Sequence, residues 1–268
     1  MDLGLADATV AIAGGSQGMG FAAARCFAAE GARIALLARR PAPLDEAVDA
    51  LHAGGSPDPI GIRADVSQAH EVEAAFARIG ARWGALNVLV NAAGPVGVGR
   101  FETLDDDAWH RTFDTGVLGM VRCVRAALPL LRRAAWARIV NVSAHSTKRQ
   151  SVGLPAYTAA KAAMTSVSKN LSLSLAADGI LVNTVSPGSF LSEALRRYLA
   201  SLPPERGVDP DSLVDAMRVI REDFGHPAHL PRAGDPAEIG PVIVFLASRV
   251  NSYMTGANVN VDGGSDFT

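Results

Sequence analysis

Thr9-Val10-Ala11-Ile12-Ala13-Gly14-Gly15-Ser16-Gln17-Gly18-Met19-Gly20 is the stretch on which the fold turns. Its first five residues form a short, largely apolar run of strand length that ends in glycine. An Ala-rich helical stretch follows, from Gly18 to Glu30. Strand, glycine turn and helix together suit a phosphate. A tight turn uses backbone conformations that glycine tolerates. A helix N-terminus offers unpaired N–H groups and a partial positive charge to an anion. Gly14, Gly18 and Gly20 stand at the turn and helix opening, spaced G-x-x-x-G-x-G rather than G-x-G-x-x-G. A merely structural turn is the competing reading. Placement between a first strand and a first helix favours the phosphate role.

Outward from this unit, strand and helix alternate. Arg33–Ala38, Ile60–Ala64, Leu86–Asn91, Arg138–Ser143, Ile180–Ser186 and Asn258–Val261 read as further strands. Leu44–His52, Gln68–Arg82, a long helix over Asp106–Arg133, Pro155–Ala177 and Asp235–Leu246 read as helices. Continuous apolar strands separated by helices predict an α/β fold, a doubly wound parallel sheet of Rossmann-like type with helices on both faces. No internal repeat and no domain break is visible, so residues 1–268 are expected to form a single dinucleotide-binding domain. The Pro- and Gly-punctuated segment at about 192–231 is expected to be a lid-like insertion, a passive surface excursion being the other reading.

The 268 residues are 49% apolar and 19% charged, with a net charge of −2. Without a basic excess, nucleic acid is not an expected partner. No apolar run is long enough for a membrane span, and the N-terminus does not read as a signal peptide. Cys26 and Cys123 lie in apolar helical patterns and read as small buried hydrophobes, which suits a reducing cytoplasm. His226 and His229 have no cysteine nearby, so no metal site is expected.

Tyr157 and Lys161 are four apart on a predicted helix and share a face. A tyrosine of pKa about 10 is a poor base at neutral pH. A neighbouring ammonium favours phenolate, so the pair is expected to exchange a proton with a substrate carbonyl or alcohol.

The glycine turn, this Y-x-x-x-K pair and further stretches from residue 13 to residue 264 resemble the short-chain dehydrogenase/reductase family in its compact, single-domain branch. Asp65-Val66 follows the third strand, where the family contacts adenine. Asn91-Ala92-Ala93-Gly94 resembles its N-[NA]-A-G sheet motif. Asn183 through Gly188 resembles its N-x-V-x-P-G segment beside the nicotinamide, and Ser192 stands where a carboxamide-binding threonine is usual. The resemblance implies an NAD(P)-dependent oxidoreductase that transfers hydride between the cofactor and a carbonyl or secondary alcohol. Its implied catalytic residues are Tyr157, Lys161 and Ser143. Its implied cofactor-binding residues are Gly14, Ser16, Gln17, Gly18, Met19, Gly20, Arg39, Arg40, Asp65, Val66, Asn91, Ala92, Ala93, Gly94, Tyr157, Lys161, Pro187, Gly188, Phe190 and Ser192. A homotetramer is implied as well.

Two positions depart from the family pattern. Ala144 stands where a serine usually holds the substrate oxygen, and Gly116 stands where an asparagine is usual. Ser143 from a shifted strand end, Ser146 or His145 from the next loop, or Tyr157 alone are the open ways of meeting the first loss. Glycine keeps the main-chain carbonyl at the second position and tolerates helix distortion. A catalytically impaired NAD(P)-binding sensor or scaffold is therefore the rival reading, and a lyase or epimerase on the same fold a third. At the end of the second strand no acid occupies position 38, and Arg39 can pair with a 2′-phosphate, so NADP is preferred to NAD. Leu195, Leu199, Leu202, Leu213, Met217, Ile220 and Phe224 suggest a hydrophobic or bulky substrate, or else anchor their own segment.

Overall fold

The computed structural model describes residues 2–94 and 97–265. Its strands are β1 (Thr9–Ala13), β2 (Arg33–Ala38), β3 (Ile60–Arg63), β4 (Val88–Asn91), β5 (Ala137–Val142), β6 (Ile180–Pro187) and β7 (Asn258–Val261). They form one sheet in the order β3-β2-β1-β4-β5-β6-β7, with every neighbouring pair parallel. The expected doubly wound α/β sheet is thus present. After β3 the chain returns across the sheet to place β4 on the other side of β1. The crevice opened by that reversal lies at the carboxyl ends of β1 and β4, where such sheets bind ligands.

Alternate side chains of the strands feed two cores. Val10, Ile12, Ile34 and Leu36 pack under α1 (Gly18–Ala29), α2 (Pro41–Ala53) and α9 (Pro236–Ala247), with Phe27, Leu44, Ile239 and Ile243. Ala11, Ala13, Leu89 and Ile139 face the other way. They meet Phe76 and Ile79 of α3 (Ala69–Trp83), Val124 of α5 (Gly119–Leu131) and Met164 of α6 (Pro155–Ser174). Fully buried parallel strands need this cover on both faces, which is why they read as continuous apolar runs.

Several boundaries differ from the sequence expectation. α2 begins at Pro41 rather than Leu44, because proline is preorganised for the first helical position and needs no N–H there. β4 is shorter: Leu86 N–H turns to Leu130 O. The expected long helix is interrupted. α4 (Asp106–Phe113), capped by the Asp105 carboxylate accepting from Ala108 N–H at 2.8 Å, runs into a π turn at Asp114–Leu118 before α5 starts. Gly116 lies buried inside that turn.

The segment after β6 folds as α7 (Glu193–Ala200) and α8 (Leu213–Val219), the latter extended by a π turn at Ile220–Phe224. Leu199, Met217, Val219 and Ile220 form a third, small core there, with Leu195, Leu202 and Leu213 packed against it. No described helix is long and apolar enough to cross a membrane.

Candidate active site

A cleft of about 750 Å³ opens at the carboxyl ends of β1, β4, β5 and β6 and is lined by residues 17–20, Ala92, Gly94, Ser143–Ser146, Tyr157, Lys161, Pro187–Ser189 and Ser192. A second lobe of about 340 Å³ shares Gln17, Arg40, Ala92 and Gly94 with it and adds Gly14, Ser16, Arg39, Asp65, Val66, Ala93 and Thr115. The two lobes form a continuous crevice across the sheet's reversal point. Every sequence-predicted site residue lines it except Asn91 and Phe190. Asn91 is buried within the sheet, where its Nδ2 donates to Asn141 Oδ1 at 2.8 Å; Asn141 in turn donates to Ser168 Oγ on α6. The Phe190 ring points away into the core and lies against Gly234, leaving no room there for a Cβ.

The glycine turn is built for close approach. Gly14 has φ +79°, and a Cβ on it would stand 2.6 Å from Ala93 N, so only glycine lets the end of β1 lie against the end of β4. Cβ atoms at Gly18 or Gly94 would meet nothing within 4 Å and would point into open crevice. The Gln17 side chain does not cap α1, so the first-turn amides of that helix have no side-chain acceptor. A pyrophosphate fits this cradle. Beyond it, Arg40 donates to Gln17 Oε1, and the exposed Arg39 guanidinium stands 3.9 Å from Asp65.

Tyr157 and Lys161 share one face of α6, as their spacing requires. Lys161 is buried; its ammonium donates to Val142 O at 2.6 Å and lies 5.9 Å from the centre of the Tyr157 ring. Burial pushes the lysine down to about 8. The expected acidification of the phenol does not occur in the open cleft: burial dominates and raises Tyr157 to about 12. The ammonium is held by a backbone carbonyl beneath the ring, and desolvation of a phenolate outweighs that attraction.

Two hydroxyls lie near the Ala144 position: that of Ser143 donates within the protein, whereas that of Ser146 accepts. Ser143 Oγ lies 3.1 Å from Lys161 O, to which it donates, and 2.7 Å from Thr165 Oγ1, both on α6. Ser146 Oγ is buried and accepts from Thr158 Oγ1 at 3.2 Å. Ala144 itself lines the cleft. His145, half-buried, also lines it, with Nδ1 3.1 Å from Pro187 O.

Sequence reasoning did not find Thr115, Gly97, Val98, Ser189, Glu193, Ala194 or Arg197, all of which border the crevice. Thr115 arrives through the π turn, which re-aims its side chain. Glu193, Ala194 and Arg197 come from the first turns of α7. The apolar residues expected to greet a substrate instead build the segment's own small core, and Phe224 packs on Tyr198 with ring centres 5.5 Å apart. Cys26 and Cys123 are free thiols, both pushed up by burial, Cys123 to about 12.

A parallel sheet wound in this order, with a glycine turn and a Tyr–Lys pair in one crevice, defines a Rossmann-like oxidoreductase architecture. The chain belongs to the short-chain dehydrogenase/reductase family: the model described as short chain dehydrogenase matches residues 8–201, and that described as Enoyl-(Acyl carrier protein) reductase matches residues 208–266. It is an enzyme of the alcohol/carbonyl class. It is 31% identical to a meso-2,3-butanediol dehydrogenase of Serratia marcescens over 96% of this chain and 93% of that one. It superposes with a TM-score of 0.92 at 28% identity, covering both chains fully, on an L-sorbose reductase of Gluconobacter frateurii complexed with NADPH and L-sorbose. A short chain oxidoreductase of Pseudomonas aeruginosa PAO1, described as containing an atypical catalytic center, is 29% identical with a TM-score of 0.89, covering 97% of this chain and 98% of that one.

Proposed function

We propose that this chain interconverts a carbonyl and a secondary alcohol with NADP as its preferred cofactor and Tyr157 as the proton carrier. The carrying observation is that the glycine cradle and the Tyr157–Lys161 pair line one continuous crevice. Gly14, Gly18 and Gly20 with the first-turn amides of α1 hold the pyrophosphate. Arg39 and Arg40 face the 2′-phosphate, and Asp65 and Val66 the adenine. Tyr157, Lys161, Pro187, Gly188 and Ser192 hold the nicotinamide end. The bound cofactor supplies or accepts the hydride.

With its pKa raised to about 12, Tyr157 keeps its proton at neutral pH and can donate it to a substrate oxygen that gains charge. Lys161, lowered to about 8, holds a proton that it can pass on near neutral pH. Ser143, bonded to Lys161 O, positions α6 in this scheme. Support for NADP comes from the arginine pair, the lack of an acid at Ala38, and the NADPH-bound L-sorbose reductase. The polar mouth formed by Glu193, Arg197 and Ser189 favours a polar over a purely hydrophobic substrate.

A second reading, a cofactor-binding protein without turnover, draws on Ala144 and on the atypical center ascribed to the Pseudomonas relative. The deciding experiment follows nicotinamide absorbance with NADPH and L-sorbose, diacetyl or cyclohexanone, and with NADP and meso-2,3-butanediol. The proposal expects turnover that collapses in Tyr157→Phe. Tight NADPH binding with no turnover on any of these probes favours the second reading. Assembly as a homotetramer is part of the proposal: β7 ends the sheet, and Tyr253 and Met254 leave apolar surface in the turn before it. Light scattering reads the mass.

A further inference from the structure

A carbonyl that takes hydride on carbon gathers negative charge on its oxygen, and donors aimed at that oxygen lower the barrier. Tyr157 supplies one, and Ser146 lines the same cleft. A serine hydroxyl carries one proton and accepts at two lone pairs. One lone pair of Ser146 takes the Thr158 proton at 3.2 Å. The Ser146 proton itself meets no acceptor among the described residues, although the residue is only 5% exposed. A buried donor without a partner is costly, and this one borders the space a substrate oxygen enters. Ser143 differs: its hydroxyl donates to Lys161 O and touches Thr165 Oγ1, both on α6.

The fold holds Ser146 in place from two sides. It sits in a 3-10 turn at His145–Thr147, directly after β5. Thr147 Oγ1 donates to Ala144 O at 3.0 Å and Lys148 N–H to His145 O at 2.9 Å, which closes the turn. Thr158, 8% exposed, follows Tyr157 on α6. Its bond to Ser146 therefore ties the serine to the turn of helix that carries the phenol. The same bond changes the serine's chemistry. A hydroxyl oxygen that accepts a hydrogen bond is polarised and gives its own proton to an acceptor more strongly.

We propose that Ser146 is a further catalytic residue, donating a hydrogen bond to the reacting substrate oxygen, and that Thr158 is its positioning residue. The proposal rests on the carbonyl/alcohol reading above. In reduction, the substrate carbon gains a hydride and a new C–H bond as the nicotinamide is oxidised. The C=O π pair moves to oxygen, which takes the Tyr157 proton. Solvent restores that proton to the phenolate. Ser146 holds the oxygen throughout and keeps its own proton.

The test compares wild type, Ser146→Ala, Ser146→Cys, Thr158→Val, Thr158→Ser and the double variant Ser146→Ala/Thr158→Val. It uses NADPH and whichever of L-sorbose, diacetyl or cyclohexanone the wild type reduces fastest. Ser146→Ala is expected to lose about 10²-fold in kcat, with unchanged NADPH affinity. Ser146→Cys fills the same space with a weak donor and is expected to fall between. Thr158→Val is expected to lose about three- to tenfold in kcat with little change in KM. Thr158→Ser restores it, and Thr158→Val adds nothing once Ser146 is alanine. Retention of kcat within about threefold in Ser146→Ala, while Tyr157→Phe is inactive, overturns this inference and leaves the oxidoreductase reading standing. Wild-type turnover that survives Tyr157→Phe sinks the oxidoreductase reading instead. A readout independent of turnover is the infrared carbonyl stretch of cyclohexanone bound beside NADP, which has no hydride to give. Each donor on the oxygen lowers that frequency, so it is expected to rise in Ser146→Ala. A stretch that is the same in both proteins overturns the role.

Discussion

Lys161 meets two opposed demands. The site needs a cation near Tyr157, yet its position beneath the cleft strips the ammonium of water. Its folded pKa falls to about 8 from the ordinary 10.5. Between those values the unfolded chain binds more protons than the folded one, so wild-type stability rises with pH through that window. The burden is present in full below pH 8. A shift of this size is worth about 3 kcal/mol. Lys161→Met lacks the titration, so its stability relative to wild type is expected to worsen by most of that amount between pH 7 and pH 10.5. Urea denaturation of both proteins at the two pH values measures it, and a constant difference contradicts it. Tyr157→Phe keeps the ring's packing and removes only the hydroxyl. A loss of about 10²- to 10⁴-fold in kcat is expected, with unchanged NADPH affinity by calorimetric titration. The i, i+4 spacing of these two residues made their shared face legible in the sequence. The upward shift of the phenol was not legible, because it depends on how deeply α6 is buried and on which acceptor the ammonium finds, here Val142 O.

Elements were legible where one local rule decided them. β1, β2 and β7 matched their apolar runs residue for residue, and glycine marked the start of α1. The 106–133 stretch carries one apolar periodicity, but the structure breaks it at Asp114–Leu118. A π turn inserts one residue without changing composition, so only tertiary contacts reveal it. Here Arg122 holds it, bonding the Asp114 carboxylate at 2.7 Å and the Val66 carbonyl at 3.3 Å. The turn is thereby tied to the lobe lined by Asp65 and Val66 and delivers Thr115 there. Arg122→Met is expected to raise the Kd for NADPH about three- to tenfold while costing about 1–3 kcal/mol of stability. Calorimetric titration and denaturant melts check the two halves. The junction of α1 with its turn gives a sharper case. A Cβ on Gly20 would collide with the Gly14 carbonyl, a backbone atom with no room to yield. Gly20→Ala must therefore push α1 away from the cradle. Loss of at least tenfold in NADPH affinity is expected, alongside about 1–3 kcal/mol of destabilisation. Wild-type affinity in a folded Gly20→Ala protein contradicts the phosphate role given to this turn.

At the scale of the whole molecule, the two cores on the sheet and the small core of residues 191–233 are separate apolar clusters. Separate clusters imply separate cooperativity: a unit with its own core can open while the sheet stays closed. Inside this unit, Arg206 pairs with Glu222 and Asp223 at 2.8 Å each, and Tyr198 donates to Asp223 at 2.9 Å. Those pairs are largely solvated and add little to its stability. Met217, 1% exposed among Leu199, Ala216 and Ile220, matters more. Met217→Ala is expected to cost this unit about 2–5 kcal/mol. Hydrogen exchange monitored by mass spectrometry separates the outcomes. Amides of α7 and α8 are expected to exchange about 30-fold faster or more, while those of β1, β4 and β5 keep their wild-type rates. Because Ser192, Glu193, Ala194 and Arg197 border the cleft from this unit, loosening it should raise KM more than it lowers kcat. The Arg149 guanidinium donates to Pro227 O at 3.2 Å and Ser265 O at 3.0 Å, joining the end of the unit to the C-terminal region. Equal acceleration in sheet and segment would mean that one cooperative core spans both, and the segment could not then open as a lid over a closed sheet.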